Sequence, residues 1–141
     1  MSEIKAKLRK LRIIQALLIG IIVAHASLFE VFFSEAHSRW SLWHSLTAGL
    51  GMVCALEGFH FRRRYLAPAA AALARDPRNP KAVQRWAGWH SICLLMATAV
   101  GAYGLWVRMF LRGSLLQALL FYVVGLFLLL LWTPKAPTAF D

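Results

Sequence analysis

The stretch LLQALLFYVVGLFLLLLW, residues 115–132, decides the fold class of this 141-residue chain. It carries no charged side chain, and a helix of its length rises about 27 Å, close to the thickness of the hydrocarbon layer of a bilayer. Three more apolar stretches of similar length precede it, at residues 13–33, 41–61 and 86–107. They predict an all-α fold, an integral membrane four-helix bundle that forms a single domain over residues 1–141.

Composition favours the same class of protein. Hydrophobic residues make up 60% of the chain and the mean hydropathy is +0.58, whereas apolar usage in soluble domains is near one half. A net charge of +10 would indicate nucleic-acid binding in a soluble protein, but here the cations cluster at the ends of apolar stretches. We therefore expect membrane lipids as partners, and no nucleic acid.

The distribution of cations predicts the orientation. Of the 16 Lys and Arg, five lie in the N-terminal tail, seven within residues 62–85 and one at Lys135, while Arg39, Arg108 and Arg112 lie at the opposite ends of the spans. Because cytoplasmic flanks retain Lys and Arg during insertion, we expect both termini in the cytoplasm and the chain in the inner (plasma) membrane. The triplet Ala24-His25-Ala26 also fits a signal-peptidase site, but the apolar run continues to Phe33 and favours an uncleaved anchor.

Residues 62–85 form the predicted cytoplasmic basic loop. Within it, residues 66–75 are rich in alanine and favour a helix, residues 76–80 break it, and Asn79 followed by Pro80 is typical of a new helix start. Its cations predict a surface for anionic lipid headgroups or for a soluble partner. They are Arg62, Arg63, Arg64, Arg75, Arg78, Lys81 and Arg85.

One cluster of candidate ligands follows from helical spacing. Cys54, Glu57 and His60 recur every three residues on the second span, and His90 and Cys93 are three apart on the third, all in the cytoplasmic half. If the two faces met, the five side chains could bind a transition metal, and His60 with His90 could bind b-type haem. Structural roles for all five remain the alternative.

His25 lies alone near the middle of the first span. It could ligate haem or a chlorophyll-type pigment as a single axial ligand, or hydrogen-bond to a neighbouring helix. Near the outer face, Glu30 and Arg108 are candidates for an ion pair.

A short repeat opens two of the spans. RWSLWHS at residues 39–45 recurs as RWAGWHS at residues 85–91, with five of seven positions identical. The repeat indicates either an inverted-topology duplication, as in many transporters, or convergence on residues that suit the membrane interface. Small residues at Gly49, Gly51, Gly101 and Gly104 predict that the second and third spans form the central pair, and the bulky fourth span is expected to face lipid or a partner.

No glycine-rich phosphate loop, HExxH motif or nucleophile elbow is present in the sequence, so we expect no enzymatic activity. The leading hypothesis is a non-catalytic accessory or structural subunit of a larger membrane complex, with other membrane-protein subunits as partners. The alternatives are a haem-, quinone- or pigment-binding subunit that uses the histidines, and a small transporter with Glu57 or Glu30 as its coupling carboxylate.

Overall fold

The computed structural model describes residues 2–32 and 41–135, and all regular structure in these ranges is helical, which confirms the all-α prediction. The α-helices are α1 (Ser2–Phe32), α2 (Leu42–Phe61), α3 (Ala67–Arg75), α4 (Pro80–Met109) and α5 (Leu115–Leu131). A five-residue π-helical turn, Arg62–Leu66, joins α2 to α3 without a break. The described chain therefore forms four helical rods: α1, the continuous α2–α3 rod, α4 and α5.

Local capping chemistry sets the starts of α4 and α5. Asn79 Oδ1 accepts hydrogen bonds from the backbone amides of Lys81 (3.0 Å) and Ala82 (3.3 Å), as its position before Pro80 predicts. Ser114 and Gln117 cap α5 reciprocally, through Ser114 N to Gln117 Oε1 (2.9 Å) and Gln117 N to Ser114 Oγ (3.3 Å). Both helices consequently begin at fixed residues.

The predicted boundaries hold at α2, at α3 within one residue, at the start of α4 and at α5, and they differ at α1. The first helix begins at Ser2, because the cationic tail before residue 13 is itself helix-favouring. The predicted loop at residues 62–85 is mostly helical, with only residues 76–79 outside a helix. Arginines end the apolar surface of the second rod, but they do not end its helix, since arginine and alanine are both strong helix formers.

α4 is the central rod and contacts every other helix. It packs most closely against α5, because small residues bring the two backbones together: a Cβ at Gly125 would lie 2.6 Å from Gly101 N, and one at Gly104 would lie 2.8 Å from Ala118 O. The predicted central pair of α2 and α4 is thus wrong. Gly104 faces α5, whereas a Cβ at Gly101 would lie 2.6 Å from Ile22 Cδ1 of α1 and only the Gly101 backbone lies against α5. α5 buries one face and leaves the other exposed.

Side-chain contacts show which helix ends lie together. Arg12 Nε donates to Pro134 O (3.4 Å), and the Phe59 and Trp132 rings meet edge-on with centroids 5.3 Å apart. The start of α1, the end of α2 and the end of α5 therefore share one end of the molecule, which also carries residues 62–85 and Lys135. We refer to it as the basic end.

Among the helices of the described residues, two are long and apolar enough to cross a membrane by length and composition. They are α1, over Glu3–Leu28, and α4, while α5 is apolar but has only 17 residues. α2 does not reach the same hydropathy, since His44, Glu57 and His60 interrupt its apolar sequence. Apolar side chains remain exposed along all four rods.

Candidate functional site

The structure does not bring the five predicted ligands together. His90 and Cys93 are buried, whereas Glu57 and His60 are exposed, and Cys54 Sγ lies 3.7 Å from the Tyr103 hydroxyl. Across residues 2–32 and 41–135, no three His, Cys, Asp or Glu side chains are grouped closely enough to hold a metal ion. The reason is geometric: the arc of about 120° from Cys54 to His60 runs from the inward side of α2 to its outward side.

The predicted pairing of His60 with His90 also fails. His90 lies in a groove between helices, and His60 is not among the residues that line this groove. His25 is exposed, and its Nδ1 lies 2.8 Å from the carbonyl oxygen of Ile21 in the same helix, so the bond is not to a neighbouring helix as predicted. The Glu30 side chain and Arg39 fall outside the described part of the chain. Arg108 Nη1 donates to Gly113 O (2.8 Å).

Two grooves flank the α3–α4 hairpin at the basic end. The first, which we name the Arg64 groove, has a volume of about 880 Å³ and opens outward. Exposed Arg64, Lys81 and Arg85 border it, and its floor includes Tyr65 and Trp89, whose rings stack with centroids 4.6 Å apart. This arrangement offers a cationic rim above an aromatic floor.

The second, the Arg62 groove, has a volume of about 460 Å³. Three parts of the chain enclose it: the π-helical turn together with α3, the helix α4, and the end of α5 with the residues that follow it. Its polar lining comprises Arg62, His90, Thr133 and Lys135, and it contains no carboxylate. Trp86, also in the lining, holds the His90 imidazole edge-on with centroids 5.1 Å apart. The remaining lining residues are apolar: Leu66, Ala67, Ala70, Ala71, Ala74 and Leu131.

Two polar atoms that belong to residues lining the Arg62 groove are buried without a partner. Arg62 Nη1 and His90 Nδ1 make no hydrogen bond to any described residue. His90 as a whole is only 5% exposed. Buried polar groups are almost always hydrogen-bonded in native proteins, so these two atoms are exceptions that call for a physical explanation.

The seven predicted surface cations separate into two sets. Six of them are exposed: Arg63, Arg64, Arg75, Arg78, Lys81 and Arg85. Arg62 is instead partly buried, at the first residue of the π-helical turn. Single π-helical turns inside α-helices occur frequently at functional sites. The sequence alone predicts the cations but not this inward placement.

An ionisable patch also lies on the outward side of α2. Glu57 and His60 are exposed next to Val53 and Leu56, which are 54% and 62% exposed. Neither ionisable side chain has a hydrogen-bond or ion-pair partner within the described ranges. We name Val53, Leu56, Glu57 and His60 the α2 outer patch.

At the end opposite the basic end, sequence reasoning missed a set of buried polar side chains. His44 is 2% exposed and Arg108 4% exposed. His44 Nδ1 lies 2.8 Å from Ser41 Oγ, and the Ser41-x-x-His44 spacing at the start of α2 was the available signal. His44 and His90, equivalent in the seven-residue repeat, are both buried but at opposite ends; Arg39 and Trp40 of the first copy lie outside the described residues.

Compared with known proteins, the chain matches no family model, no curated protein and no solved structure. The two grooves and the α2 outer patch are therefore the features of the molecule that indicate a function.

Proposed function

We propose that this chain is a multi-pass inner-membrane protein, with both termini in the cytoplasm, that serves as a non-catalytic accessory subunit of a larger membrane complex. The exposure of α1 supports the placement in a membrane, because only 17% of the residues in its most apolar 18-residue stretch are buried. A soluble protein would cover such a helix, since large exposed apolar surfaces are unfavourable in water. The cations of the basic end then lie at the cytoplasmic headgroups.

Membership in a complex rests on one observation, the α2 outer patch. A carboxylate on the lipid-facing side of a membrane helix is costly, and an imidazole within a turn of the interface is less so; such residues in membrane proteins normally face other protein or water. Glu57 and His60 have no partner in the described chain, and Val53 and Leu56 beside them offer apolar area. A helix of another subunit that supplies hydrogen-bonding groups would satisfy both side chains.

Purification in mild detergent followed by native mass spectrometry tests this proposal. We expect the wild-type chain to be recovered with other membrane polypeptides in fixed stoichiometry, and the double variant Glu57→Leu, His60→Leu to be recovered without them. His25→Leu is the matched control, because it removes an exposed imidazole from α1 and should leave the complex intact. Recovery of the wild-type chain as a homogeneous monomer, or only with copies of itself, would overturn the proposal.

A further inference from the structure

One nitrogen of the Arg62 guanidinium is buried at the Arg62 groove without an acceptor, and a charged group is costly to bury unpaired. Arg62 Nη1 is buried and has no partner in the described chain, and neither has His90 Nδ1 in the same groove. Arginine is always protonated, so only an acceptor, and preferably an anion, can satisfy it. The neutral imidazole can add a second donor through an Nδ1–H tautomer.

The charged residues that line the groove also favour an anionic ligand. Its lining includes two cations, Arg62 and Lys135, and no carboxylate. A phosphate group, with several acceptor oxygens, can accept from the guanidinium and the imidazole together, while Lys135 acts as a point charge. No residue of the described chain supplies such a group.

The position of the groove favours a lipid as the source of the phosphate. Arg62 directly follows Phe61, the last residue of the apolar α2, so the groove lies where apolar surface gives way to cations. Its alanine-rich wall on α3 and Leu131 on α5 present apolar surface beside the charged groups. A phospholipid has the matching arrangement, with a phosphate next to glycerol and acyl chains.

We propose that the Arg62 groove is a specific binding site for one anionic phospholipid, whose phosphate accepts hydrogen bonds from Arg62 and His90. This inference rests on the membrane placement proposed above but not on membership in a complex. The bound lipid fixes the π-helical turn against α4 and the end of α5.

Native mass spectrometry of the full chain, released from micelles that contain phosphatidylglycerol or phosphatidylcholine, tests the proposal. We expect one phosphatidylglycerol to remain bound, and Arg62→Gln to weaken its binding about tenfold or more, since a hydrogen bond to a charged group is lost. Arg64→Gln is the matched control: it removes the same charge two residues away, from the Arg64 groove, and should retain the lipid.

A second variant retains the cations of the Arg62 groove but fills its volume. Ala70→Phe fills the groove and should also abolish retention, with the helix content checked by circular dichroism. Equal losses in Arg62→Gln and Arg64→Gln would show diffuse attraction to a basic surface and would overturn the site. Retention of phosphatidylcholine equal to that of phosphatidylglycerol, or displacement of the lipid by millimolar inorganic phosphate, would also contradict it. If the wild-type chain retains the lipid but is recovered without partner subunits, only the proposed complex is overturned.

Discussion

Gln15 in α1 and Leu129 in α5, 114 positions apart, are joined by a hydrogen bond of 2.5 Å from Gln15 Nε2 to the Leu129 carbonyl. The same amide nitrogen donates to Thr133 Oγ1 at 3.0 Å. Leu129 lies in the last turn of α5, where carbonyl groups have no intrahelical partner. One side chain of α1 thus completes the end of α5 and ties the first rod to the last at the basic end.

Replacing Gln15 by leucine should therefore destabilise the bundle. The variant leaves a buried carbonyl unsatisfied, and we expect a loss of about 1–3 kcal/mol in the free energy of unfolding. Thermal unfolding in detergent, followed by circular dichroism, measures the change as a lower Tm. Gln84→Leu makes the same substitution at an exposed position of α4 and should leave Tm nearly unchanged. Equal effects of the two variants would show that the Gln15 bond contributes nothing specific.

The contact between α4 and α5 at Gly125 leads to a second prediction. A Cβ there would lie 2.6 Å from Gly101 N and 3.2 Å from Ala97 O, and backbone atoms cannot move aside as a flexible side chain can. Gly125→Ala should cost about 1–3 kcal/mol or more through overpacking. In Gly20→Ala nothing lies within 4 Å of the new Cβ, and a helical alanine is favoured by about 1 kcal/mol over glycine.

Unfolding of the two alanine variants by denaturant gives the comparison directly. We expect opposite signs, with Gly125→Ala less stable and Gly20→Ala as stable as the wild type or more so. A Gly125→Ala variant of wild-type stability would show that α4 and α5 do not approach closely at Gly125.

Arg112 is a non-glycine residue in left-handed conformation, with φ 48°, in the turn between α4 and α5. This conformation costs an L-residue roughly 1 kcal/mol, and glycine adopts it without the steric penalty. We expect Arg112→Gly to raise Tm slightly and Arg112→Lys, which retains the strain, to leave it unchanged. A lower Tm for Arg112→Gly alone would indicate that the arginine side chain stabilises the turn by more than the backbone strain costs.

Local features of the fold were predictable from the sequence, whereas the choice of helix neighbours was not. Asn79 before Pro80 identified the start of α4, because capping depends on residues within one turn. Gly101 and Gly104 showed that some helix packs closely on α4, but a small residue does not specify which one. In the structure α5 packs on Gly104, and Ile22 of α1 packs on Gly101.

At the candidate site, too, the residue types were predictable from the sequence but their placement in the fold was not. Seven cations at residues 62–85 were evident in the sequence, but the inward placement of Arg62 depends on the π-helical turn, which leaves no simple pattern in composition. Spacing by three along α2 suggested that Cys54, Glu57 and His60 act together. In the structure their arc crosses from the inward to the outward side of the helix, so they face different surroundings.

Cysteine labelling in spheroplasts tests the central claim, a chain that crosses the inner membrane with its basic end in the cytoplasm, most directly. In a background with Cys54 and Cys93 replaced by alanine, single cysteines are placed at Arg112, Arg78 and Lys135 and treated with a membrane-impermeant maleimide. We expect Arg112→Cys to react in intact spheroplasts, and Arg78→Cys and Lys135→Cys to react only after lysis. Labelling of Arg78→Cys or Lys135→Cys before lysis, or protection of all three, would contradict the account.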